Sequence, residues 1–226
     1  MRLTPRLLTG AALLSLPLAA HAQQDAADKR PTWFIFLETG KPVPADTELV
    51  AKMQQGHVGN FGRLFAEKKL FGAGPLHDPA GTKRGIVVAR ADTKEQLLTY
   101  FEPDQYVRQG YMTVNAERAT VHKALATVGI DATGIEEVRI VQITRPTPPL
   151  SAAEQTADHA FLQKLMDVGT FGAWYSLELG SVGDVLFAHT TDDKTLQSAL
   201  ALLPSARSQR SSTLIWPQFI GKGVVK

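Results

Sequence analysis

Apolar positions along this chain alternate between short unbroken runs and longer stretches with helical spacing. Trp33-Phe34-Ile35-Phe36-Leu37 is one such run, and its length and aromatic content predict a strand covered on both faces. Pro42 and Pro44 interrupt the chain, after which Leu49, Met53, Phe61 and Leu64 share one face of a helix predicted over 45–68. Leu70-Phe71-Gly72-Ala73-Gly74 reads as a strand ended by Gly74-Pro75, and the β-branched Gly85-Ile86-Val87-Val88-Ala89 as the next. A helix over 93–101, with Asp92 or Thr93 as N-cap, and a half-buried strand over 111–120 complete a β-α-β-β-α-β order.

The second half runs through the same order. Val138-Arg139-Ile140-Val141-Gln142-Ile143 predicts a strand; Pro146, Pro148 and Pro149 break it from a helix over 151–168. Ser151 with Glu154 forms a capping box that marks the start of that helix. Strands at 171–178 and 184–189, a helix near 193–203 and a strand at 212–220 follow. A shift of 100 residues lays Phe71-Gly72-Ala73 over Phe171-Gly172-Ala173 and Phe61 over Phe161, which predicts an internal duplication. The expected fold is α+β: two tandem ferredoxin-like repeats, at 32–121 and 138–226, joined by a linker at 122–137.

The first residues read as an address. Arg2 and Arg6 precede an apolar stretch over 7–20, and Ala20-His21-Ala22 has the small-x-small form of a cleavage site. The stretch is short for a bilayer core of ~30 Å and is interrupted by Gly10 and Pro17. A signal peptide over 1–22, a polar tether over 23–31 and a periplasmic or secreted mature chain are therefore expected, with no integral membrane segment left. Cleavage lowers Lys+Arg from 24 to 22 against 22 Asp+Glu, so the mature chain is formally neutral and nothing in it calls for nucleic acid. With no cysteine, an exported chain must rely on hydrophobic burial alone.

Candidate chemistry concentrates in the first repeat. His57 lies four residues after Met53 and four before Phe61, so helical phase turns it toward the sheet. Asp104 follows the second helix and is placed to accept a hydrogen bond from its imidazole, leaving the other ring nitrogen as acid or base. A satisfied structural histidine is the competing reading of the same position. Tyr106 offers a hydroxyl to a ligand or serves as packing. Gly56, Gly59 and Gly62 recur on the His57 helix, for close approach of a ligand or for tight packing. His77, His122 and His189 share no metal-ligand spacing, and neither a nucleophile elbow nor a phosphate loop is present, so no metal or cofactor is expected.

The helical His57, the strand end Ala73-Gly74-Pro75-Leu76 and the run Asp104-Gln105-Tyr106-Val107-Arg108-Gln109-Gly110 together resemble the YCII-related domain family. The likeness covers roughly residues 33–121 and departs at Gln105, where the family usually has proline. It implies that His57 and Asp104 are the active-site pair, with Tyr106, Gly74 and Pro75 beside a ligand. It also implies half of a dimeric α/β barrel, in which two four-stranded sheets face each other and helices cover them outside. Two copies in one chain imply an intramolecular pseudo-dimer, or a homodimer if each half pairs with another molecule. The shift of 100 puts Ala157 under His57 and turns His159 away from that position, so the second repeat is expected to keep the shape without the chemistry. Two function classes stay open. One is a cofactor-independent acid–base enzyme of lyase, isomerase or dehalogenase type acting on a small organic molecule; the other is a non-catalytic periplasmic binding or assembly module.

Overall fold

Strand β1 (Thr32–Thr39) carries the unbroken apolar run, and its two faces enter two different cores. Phe34 and Phe36 point into one, Trp33, Ile35 and Leu37 into the other. The computed structural model describes residues 28–226, so the signal peptide expected over 1–22 and the first residues of the expected tether lie outside the described residues. Among the described residues there are eight strands and six helices, an α+β arrangement. After β1 come α1 (Thr47–Ala66), β2 (Leu70–Pro75), β3 (Lys83–Arg90), α2 (Lys94–Thr99), α3 (Gln105–Arg108) and β4 (Met112–Lys123). The rest repeats the order as β5 (Asp131–Thr144), α4 (Ala152–Asp167), β6 (Ala173–Leu177), β7 (Val182–Ala188), α5 (Asp193–Leu200), α6 (Pro204–Arg207) and β8 (Thr213–Lys222).

The strands form one antiparallel sheet in the order β2-β3-β1-β4-β6-β7-β5-β8, so the two halves have the same internal strand order. The halves join edge to edge, Ala119 opposite Leu177 and Val121 opposite Tyr175. At the far seam Leu76 bridges Gln218, and the His77 N–H donates to the Pro217 carbonyl at 3.0 Å, which brings the sheet to a nearly closed barrel. Gly74 is required there: a Cβ at this position would lie 1.8 Å from the Phe219 carbonyl oxygen. The two four-stranded sheets expected to face each other are thus joined at both seams into one. Closure satisfies the edge N–H and C=O groups that two open sheets would each leave exposed.

The barrel interior is filled by Phe34, Phe36, Ile86, Val88, Val138, Ile140, Tyr175, Val185, Phe187 and Ile220. Outside it, α1 and α2 cover the first half of the sheet and α4 and α5 the second. The capping box predicted at Ser151 is present, and Thr93 caps α2. The expected linker is mostly strand, because β4 runs on to Lys123, where it pairs with β6 of the other half, and β5 begins at Asp131, where it pairs with the end of β8. At the edge of the tether, Asp28 and Arg30 form an ion pair at 2.6 Å, and Arg30 also donates to the Lys68 carbonyl. No helix among the described residues is long and apolar enough to cross a membrane.

Candidate functional site

Helix α1 starts at Asp46, whose carboxylate accepts the N–H groups of Glu48 and Leu49. Its buried stripe is Met53, His57, Asn60 and Leu64. Leu49, expected on that stripe, is exposed, since it lies in the first turn beyond the edge of the sheet cover. Asn60 takes an apolar position instead, because its amide donates to the Tyr100 carbonyl at 2.9 Å and its oxygen accepts from Arg63. That contact ties the middle of α1 to the end of α2 and fixes the rotation of the helix around His57.

Asp104 is the N-cap of α3 and is fully buried. One carboxylate oxygen accepts the Tyr106 N–H at 2.9 Å, and the other accepts from His57 Nδ1 at 2.5 Å. The carboxylate selects the tautomer with the proton on Nδ1 and leaves Nε2 without a hydrogen bond among the described residues. The His57 side chain keeps 11% of its surface exposed, on the side that lines a groove of about 490 Å³. Phe61 packs on the imidazole at 4.4 Å between ring centres, and Tyr106 meets it edge-on at 5.6 Å. The ring is thus held from three sides, and its unbonded Nε2 belongs to a side chain that lines the groove.

The groove lies between α1, β2 and the start of β3, and its walls are mainly apolar. Gly74 and Pro75 line it, as the resemblance implied. Tyr106 is placed otherwise. It is not among the lining residues, its side chain is buried behind His57, and its hydroxyl reaches the Val50 carbonyl at 3.4 Å. Its contribution is to position His57. The far wall comes from the second half of the chain, with Ile130, Ile135, Ile220 and Val224. Sequence reasoning missed these residues because nothing in their local pattern points across the barrel seam. Arg84 and Asp131, also on the wall, place one guanidinium and one carboxylate among mainly apolar residues. A Cβ added at Gly56, Gly59 or Gly62 would meet nothing within 4 Å, which removes tight packing as their explanation; Gly62 lines the groove.

The second half differs from expectation in its register. His57 stands ten residues before the C-cap of α1 at Glu67, and the residue ten before the C-cap of α4 at Val168 is Asp158, not Ala157. Asp158 accepts the Ser205 N–H at 2.9 Å, which is the second residue of α6 just as Tyr106 is the second of α3. The N-cap of α6 is Leu203, which has no side chain to do this. The long helix therefore supplies the cap in the second half, and the short helix supplies it in the first. His159 is exposed, turned from the position equivalent to His57 as expected, and its ring lies 5.0 Å from that of His122 and 4.8 Å from that of Trp174, centre to centre. Among the described residues, no three or more His, Asp or Glu are grouped to hold a metal ion.

No family model matches this chain, and no curated protein does. Solved structures do. A provisionally assigned monooxygenase from Fusobacterium nucleatum superposes with a TM-score of 0.55 at 8% identity, over 87% of this chain and 96% of that one. A second protein with that provisional assignment, from Lactobacillus acidophilus, gives 0.53 at 9% identity, over 88% and 99%. A chlorite dismutase variant from Candidatus Nitrospira defluvii gives 0.52 at 14% identity, over 84% and 91%. These neighbours are dimeric α/β-barrel proteins, and the likeness extends along nearly their whole length. At such identities it establishes the fold alone.

Proposed function

We propose that this protein takes a small, mostly apolar organic molecule into the groove beside α1, and that His57 acts on it as an acid–base group held by Asp104. The observation that carries the reading is the His57 imidazole itself, with Nδ1 committed to a buried carboxylate and Nε2 left for the groove. Asp104 fixes the tautomer and stabilises the imidazolium that forms when Nε2 takes a proton from a bound molecule. Phe61, Val58 and Ala73 keep water away from the reacting atoms, and Arg84 provides a counter-charge for an anionic substituent. Lyase, isomerase or dehalogenase chemistry, each begun by one proton transfer, fits this set without a cofactor. The resemblance to YCII-related domains supports the assignment of the pair, and the shared strand order of the two halves supports an ancestral duplication. In this reading the first half holds the pair, the second supplies a wall, and export is directed by residues 1–22.

A binding role without turnover is the second reading. The observation in its favour is that Asp104 also caps α3, so the pair has a structural task of its own. Titration with the fluorescent probe 1-naphthoate tests occupancy, which both readings require: saturable binding is expected, with His57→Ala weakening it about tenfold. A screen of small organic acids and lactones then separates the two. Turnover that falls by a factor of about 10² or more in His57→Ala, with the fold intact, establishes catalysis. Binding without turnover leaves the binding role, and absence of naphthoate binding removes both.

A further inference from the structure

The second half has a cleft of its own at the corresponding place, between α4 and the ends of β5, β6 and β7, with a volume of about 350 Å³. Its chemistry is unlike that of the His57 groove. Asp184 on β7 accepts the Trp174 indole N–H at 2.8 Å and the Ser176 hydroxyl, both on the same carboxylate oxygen. Asp158 uses one oxygen on the Ser205 N–H. The second oxygen of each carboxylate has no hydrogen-bond partner among the described residues, and both residues line the cleft. The single cation of the lining, Arg145, is anchored on the Leu177 and Gly180 carbonyls. Two carboxylates against one guanidinium leave the lining with one net negative charge.

The rest of the wall is of two kinds. Pro146, Leu150 and Leu162 are apolar. The His159 imidazole makes ring contacts but no hydrogen bond among the described residues. Behind it His122 stacks on Trp174 at 3.9 Å and meets the Ser176 hydroxyl at 2.8 Å. Burial, and then the neighbouring His159, lower the His122 pKa, so this ring adds no positive charge near neutral pH.

We infer that this cleft is a second binding site, which takes a small organic monocation: a primary ammonium on a compact apolar body. The ammonium donates to the free oxygens of Asp158 and Asp184, and the body lies on the proline and leucine wall. A charged donor is favoured because it satisfies two carboxylates that the protein leaves half-bonded. The site is independent of His57 and does not rest on the reading given for that residue.

Cyclohexylamine tests this, with cyclohexanol and cyclohexanecarboxylate as probes of matched shape. Trp174 reports directly, because its N–H is bonded to Asp184. A saturable change in tryptophan fluorescence is expected with the amine alone and should vanish in Trp174→Phe. Asp184→Asn and Asp158→Asn should each raise Kd at least about tenfold, while a wild-type circular dichroism spectrum and Tm show each variant to be folded. Equal responses to alcohol or carboxylate, no saturation at millimolar amine, or wild-type amine affinity in Asp158→Asn would each overturn the proposal. Should Asp184→Asn fail to fold, Asp158→Asn alone decides.

Discussion

Removal of the Asp104 side chain is the sharpest perturbation of the His57 site. In Asp104→Ala two buried donors lose their acceptor at once, His57 Nδ1–H and the Tyr106 N–H. Leaving a buried donor unsatisfied costs about 1–3 kcal/mol, and loss of an N-cap about 1 kcal/mol. The cap and the Tyr106 donor are the same bond, so the two terms overlap and the expected loss is about 3 kcal/mol, a large share of the ~5–15 kcal/mol that holds a domain. Asp104→Asn keeps one acceptor oxygen and should lose about half as much. His57→Ala leaves the cap in place, and the double variant should cost less than the sum of the singles by about 1.5 kcal/mol. Urea unfolding followed by circular dichroism measures all four proteins. Additivity within about 0.5 kcal/mol, or a loss under about 1 kcal/mol in Asp104→Ala, would refute the claim that the carboxylate holds the ring.

Other positions give independent checks. Gly74→Ala places a Cβ 1.8 Å from the Phe219 carbonyl oxygen and should cost about 3 kcal/mol in urea unfolding by forcing the barrel seam apart; a neutral result contradicts the closure. Gly59→Ala on the open face of α1 meets nothing within 4 Å and should raise stability by about 0.5–1 kcal/mol, read as a higher Tm. The lowered His122 pKa has a definite sign. As pH falls below 6.5 the unfolded chain takes the proton before the folded one, so this stabilisation is present above 6.5 and lost as pH falls through the folded value. Urea melts between about pH 7.5 and about pH 5 should therefore show a smaller acid loss in His122→Asn than in wild type.

Much of the architecture was legible because burial on both faces and helical phase leave direct marks in the sequence. The β1 run, the Ser151 cap and the inward phase of His57 are of this kind. So was the meeting of His57 with Asp104, since a buried imidazole requires an acceptor and the aspartate just after the second helix lies at the right end of the sheet; that the same carboxylate caps α3 was not. The short helices α3 and α6 were missed as helices because each has four residues, too few to show a period. The seam between β2 and β8 is made by backbone groups, which have no side-chain signature. The polar sequence of late β4 and early β5 concealed strands that continue into the expected linker, β4 to pair with β6 and β5 with β8. Asp158 was hidden by one residue: the shift of 100 aligns the Phe-Gly-Ala strand starts, whereas the helix ends align at 101.

The central claim is that His57 presents a free Nε2 to a ligand while Asp104 holds Nδ1. Nitrogen-15 NMR of the imidazole rings, recorded at a pH where His57 is neutral and repeated with 1-naphthoate, tests it directly. The account predicts a proton on Nδ1, a bare Nε2, and an Nε2 resonance that moves on binding while those of His122 and His159 stay in place. A proton on Nε2 in the free protein, or an Nε2 signal indifferent to bound naphthoate, would contradict it.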